Sequence, residues 1–188
     1  MYNLYEIIDS IMEKEDLKVE EIPNIDLYMD QVLNIFDKFF PYNEQEQALT
    51  KTMINNYVKA GIIKPAIKKK YNKEHILMII IICMLKREIS LTEIKDAFDD
   101  FDNYEKIYKG FLRKKENLNK LTLDFLSNDI ESFNKEENRD TTEKMMDVLL
   151  LCYYSNVLSE AARLIINREK NEWNKWGKND KGSSCCRG

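Results

Sequence analysis

Five glycines and three prolines in 188 residues leave few positions where the chain can reverse as sheet topologies demand. The apolar residues recur at helical rather than alternating spacing through most of the chain. The expected fold class is therefore all-α, mainly helical, with one small β wing. Apolar residues make up 44% of the chain, including ten tyrosines and eight phenylalanines, enough to bury one core or two small units.

The wing is expected inside an unusually charged stretch. From Leu49 to Lys73 there are seven lysines, Lys51, Lys59, Lys64, Lys68, Lys69, Lys70 and Lys73, and no acidic residue, in a chain of net charge −4. A surface selected for solubility intersperses both signs, so a run of one sign points to a local anionic partner. Counting about 100° per residue from Lys51 puts Met53, Ile54, Tyr57 and Val58 on one face, and Lys51, Thr52, Asn55, Asn56 and Lys59 on the other. Thr50 is placed to cap this helix, Gly61 to end it in a left-handed conformation, and Pro65 to prevent its continuation. The lysine-rich segment Pro65 to Tyr71 follows as a short strand.

The outward side chains suit nucleic acid. Asparagine can hydrogen-bond an adenine edge with two bonds, and lysine can reach guanine or a phosphate. The candidate DNA-binding set is Lys51, Thr52, Asn55, Asn56, Lys59, Lys64, Lys68, Lys69, Lys70 and Tyr71.

The segments Met53 to Pro65, Lys70 to Ile76 and Ile89 to Ile94 resemble the winged-helix DNA-binding domain of MerR-type transcription regulators. That pattern has a helix ending in Tyr-x-x-x-Gly-Leu-Leu, a basic wing closing in Tyr, and a Ser-Leu-x-Glu-Ile segment. Ile22 to Val32 followed by Leu49 to Tyr57 is similar to an uncharacterised bacterial family known as a domain of unknown function. The resemblance implies a winged helix-turn-helix with a carboxy-terminal helical region. It departs where Asn55 and Asn56 precede Tyr57 in place of an arginine, and where the wing lacks glycine.

The expected organisation has four parts. Residues 1–21 form an acidic amphipathic helix using Leu4, Ile7, Ile8, Ile11 and Met12; 22–100 form the winged helix-turn-helix domain; 101–177 are helical; and 178–188 are a disordered tail. Met1 to Ala48 carries twelve acidic and three basic residues, an ordinary solvated surface or an autoinhibitory counterpart of the lysines. In the second part, Pro23 and Asn24 start a supporting helix with Ile25, Tyr28, Met29, Val32, Ile35, Phe36 and Phe39 on one stripe. Asn72 should cap a buried helix over Ile76 to Leu85, and Ser90 with Glu93 should form a capping box. Segments 104–134 and 140–176 are helical, the first with a break after Leu112. In the last, Leu150, Tyr154, Val157, Ala161 and Leu164 follow four-three spacing, which suits either a homodimer seam or packing on the chain's own core. Trp173 and Trp176 add core weight or an interface anchor.

Other chemistries find little support. Cys83 and Cys152 lie in apolar helical segments as expected buried hydrophobes, while Cys185 and Cys186 have no neighbouring ligand to complete a metal site. Asp99 to Asn103 lacks the glycine and distal glutamate of a calcium loop and reads as a charged loop or helix cap. The single histidine, His75, and the absence of a glycine-rich phosphate loop or nucleophile elbow argue against an enzyme, and no cofactor is implied. The longest apolar run, Ile76 to Leu85, is ten residues, about half a membrane span, and no signal peptide precedes it, so a cytoplasmic location is expected. The functional expectation is a dimeric regulator of transcription that binds double-stranded DNA, with a small-molecule or protein effector. The alternative is a non-catalytic protein-interaction module on the same scaffold.

Overall fold

A computed structural model describes residues 4–39, 47–98, 101, 103–133 and 141–179. Its centre is a helix buried on every side. In α4, Lys73–Leu85, the nine consecutive residues from His75 to Cys83 are all buried, as an apolar helix without a polar face must be. Asn72 caps it as expected, its Oδ1 accepting from the His75 N–H at 3.1 Å.

The other elements are α1 (Leu4–Met12), β1 (Leu27–Tyr28), α2 (Met29–Phe39), α3 (Lys51–Lys59), β2 (Lys70–Tyr71), α5 (Leu91–Phe98), α6 (Tyr104–Phe133) and α7 (Thr141–Asn179), with a 3₁₀ turn at Val19–Glu21. Of these, α5, α6 and β2 pack directly on α4. The protein is mostly helical with one small two-stranded sheet. In that sheet β1 and β2 run antiparallel, with Leu27 opposite Tyr71 and Tyr28 opposite Lys70. α6 packs on α1, on the 3₁₀ turn and on α4, while α7 packs on α5. The capping box at α5 forms: the Ser90 N–H donates to Glu93 Oε2 at 2.9 Å, and the Glu93 N–H to Ser90 Oγ at 3.2 Å.

Several expectations need correction. The amino-terminal helix stops at Met12 rather than near residue 21: the chain is extended at Lys18, where Leu17 and Val19 turn into the core on either side of it, and Val19–Glu21 forms a separate 3₁₀ turn. The supporting helix begins at Met29, not beside Pro23. Leu27 and Tyr28 are used in the sheet, the Tyr28 N–H donates to Gln31 Oε1 at 2.8 Å, and Ile25 is exposed. α6 continues through the expected break, since Arg113 to Asn117 contains no helix stop and is rich in strong helix formers. Cys83 is buried as expected, but Cys152 is exposed, because no described residue covers α7 at that position.

Candidate nucleic-acid interface

α3 is fixed by the devices read from its sequence. Thr50 Oγ1 accepts the Met53 N–H at 3.2 Å, and Gly61 has φ +71°, a conformation that L side chains adopt at a cost. Ile54 and Tyr57 are buried in the core. Lys51, Thr52, Asn55, Asn56 and Lys59 are consequently all exposed. The helix presents two amides, a hydroxyl and two amines to solvent, with no carboxylate among them.

The chain then forms a tight hairpin. The Ile67 N–H donates to the Lys70 carbonyl at 3.1 Å and the Lys70 N–H returns to the Ile67 carbonyl at 2.9 Å. The two residues between them, Lys68 and Lys69, both have positive φ, at 50° and 66°. Paired positive φ values mark a type I′ turn, a site where Asn-Gly is favoured and a side chain with Cβ is strained by about 1–2 kcal/mol. Strain of this kind is kept where the local structure over-determines it, commonly at binding sites. Here it holds two lysines exposed at the tip.

The hairpin is anchored below its tip. Lys70 lies over the Tyr28 ring, 5.1 Å from its centroid, while Tyr71 is only 5% exposed and meets the His75 ring edge-on at 5.6 Å. The sequence groups Tyr71 with the DNA-binding residues. Its burial makes it instead the residue that seats the hairpin on α4, and burial raises its phenol pKa. His75 is likewise structural: the Asn72 N–H donates to its Nδ1 at 3.2 Å, and burial pushes its pKa down.

Charge pairing separates the lysines. Among the described residues, Lys51, Lys59, Lys64, Lys68, Lys69 and Lys70 make no ion pair, whereas Lys73 is paired with Glu105 at 3.2 Å. Six of the seven cations are thus available to an external anion. Behind α3, a groove of about 360 Å³ is lined by Val58, Ile62, Met78, Phe98, Tyr104 and Lys95.

Remaining candidates fall elsewhere. Leu150, Tyr154, Val157, Ala161 and Leu164 are exposed along α7. Cys185 and Cys186 lie outside the described residues, as do the side chains of Trp173 and Trp176. No group of three metal-ligating side chains occurs among the described residues. Asn103 caps α6, its Oδ1 accepting from the Lys106 N–H at 2.9 Å. The left-handed tip at Lys68 and Lys69 and the support from Tyr28 were not visible in the sequence. The first carries no glycine or asparagine signal, and the second is a contact across forty-two positions.

A family model for a domain of unknown function, DUF1836, matches residues 17–120. The chain belongs to this family. The DUF1836 match begins at buried Leu17 and ends within α6, so it contains α3, the hairpin and the core that supports them, and excludes α7. No curated protein and no solved structure matches the chain.

Proposed function

We propose that this DUF1836 protein is a sequence-specific DNA-binding regulator of transcription, built on a winged helix-turn-helix like that of MerR-type regulators. α3 enters the major groove, where Asn55 and Asn56 read base edges between Lys51 and Lys59. Lys68 and Lys69 at the strained tip, with Lys64 and Lys70 nearby in the chain, lie along the phosphate backbone. The observation that carries this reading is the set of six lysines without an ion pair to any described residue, two of them held at positive φ. The groove behind α3 gives a small effector a place from which to bias the helix.

A second reading follows from the absence of arginine on the outward face of α3: the same lysines would dock an acidic protein surface, with no catalysis involved. Binding of the purified protein to a duplex from upstream of its own gene, against an unrelated duplex of equal length, separates the two. Selective binding whose logarithm falls by roughly 0.9 per phosphate contact against log salt supports the regulator. No binding to either duplex at low salt removes it and leaves the interaction module.

A further inference from the structure

α7 is not finished by the chain it belongs to. Twelve of its large apolar side chains are exposed, among them Leu149 and Leu158 at 69%. A helix that is apolar around most of its circumference is normally buried. Among its described side chains, Asp147 is buried near the start, and further along one side is held: Ser159 Oγ donates to Glu88 Oε2 at 2.6 Å, Arg163 donates to the Glu88 carbonyl, and Ala162 and Ile166 pack against the core. Ser159, Ala162, Arg163 and Ile166 lie on one stripe. At about 100° per residue, Leu150, Tyr154, Val157, Ala161 and Leu164 centre on the opposite side, roughly 180° away. The large members of that set are between 44 and 61% exposed.

We infer that this outward face is covered by the same face of a second copy of the chain. Twelve exposed large apolar side chains on one helix form more apolar surface than monomers usually leave open, and four of them, Leu150, Tyr154, Val157 and Leu164, lie on this face. Its composition also suits self-pairing. An isologous contact sets each patch against its own copy, so a charge near the two-fold axis would meet its like, and the five residues of the outward stripe from Leu150 through Leu164 carry none. A bilayer is the competing occupant, because Met145–Arg168 is long and apolar enough to cross one by length and composition, with a mean hydropathy of 1.3. Glu160 and Arg163 fall inside that span, and Arg163 is bonded to Glu88 and lies 3.8 Å from Glu93 of α5. Crossing would break those contacts and strip water from both charges. The inference stands on α7 alone and does not depend on DNA binding.

Light scattering after size exclusion, on the full chain over a concentration series up to about 100 µM, reads the assembly directly. The expected mass is twice 22.4 kDa, falling to 22.4 kDa on dilution or in a Leu150→Asp, Val157→Asp double variant that keeps its helical circular dichroism. Monomer at every concentration overturns the inference, as does a dimer that the folded double variant preserves. Flotation of the unaltered protein with phosphatidylcholine vesicles also overturns it. Should the double variant not fold, the dilution series of the unaltered chain decides alone.

Discussion

The hydroxyl of Tyr108 donates to the carbonyl of Leu17 at 2.8 Å, joining residues ninety-one positions apart at a point where both are buried. The bond fastens α6 to the extended segment that follows α1. Replacing Tyr108 by Phe leaves the ring in place and the Leu17 carbonyl without its partner, so chemical denaturation should show a loss of about 1–3 kcal/mol. An unchanged midpoint would mean that water replaces the hydroxyl.

Acid should weaken the fold in two separable steps. His75 is held neutral by burial, while the backbone of Pro65 and Lys64 and the Asp26 carboxylate pull its pKa the other way less strongly. Its folded pKa lies below the ordinary 6.5, so the unfolded chain binds more protons. Stability is therefore present above 6.5 and lost as pH falls through the folded value. Glu93 and Glu105, held below 4.5 by hydrogen bonds from Ser90 and from Lys109 respectively, act only at lower pH. Thermal melts should decline between 6.5 and 4.5 in the unaltered protein, and a His75→Gln variant should flatten that window alone.

Alkali should unfold the protein through its buried phenols. Burial pushes Tyr57 from 10 up to about 12, and pushes Tyr108 higher still. A raised folded pKa on an acid means the folded state keeps a proton that the unfolded chain has released. The stabilisation is complete below pH 10 and drains away as pH rises through about 12. Tyrosinate absorbance from these two residues should rise together with the loss of circular dichroism.

Gly61 ends α3 at φ +71°, and a Cβ there would meet Lys95 Nζ at 3.2 Å. The amine is the far end of a flexible side chain and can move, so the dihedral sets the cost. Gly61→Ala should destabilise by about 1–2 kcal/mol in a denaturant titration. A much larger loss would show that Lys95 cannot leave its position.

What could be read in the sequence was the local part. Thr50, Gly61, Asn72 and the Ser90–Glu93 pair act on backbone groups within four residues of themselves, so their chemistry is written where it works. The apolar run in α4 likewise declares burial without naming its neighbours. Tyr71 reads as surface because it stands beside three lysines, and only its pairing with Leu27 turns it inward. The exposure of Cys152 is illegible for a related reason. An apolar helical segment implies that something covers it, and nothing in the spacing says whether this chain supplies the cover.

The hairpin tip offers the sharpest test of the interface, because stability and binding should move in opposite directions there. Lys68 and Lys69 occupy the two positions where a type I′ turn favours Asn-Gly. Substituting both, Lys68→Asn with Lys69→Gly, relieves left-handed strain and should stabilise the protein by about 1 kcal/mol or more. If the tip lies on phosphates, the same variant binds every duplex more weakly, and its salt dependence becomes shallower by about two contacts. Asn55→Ala should behave differently, changing the preference between duplexes and leaving the salt slope alone. A tip variant that gains stability and binds DNA as before would show that the strain serves something other than DNA, and would remove the hairpin from the interface.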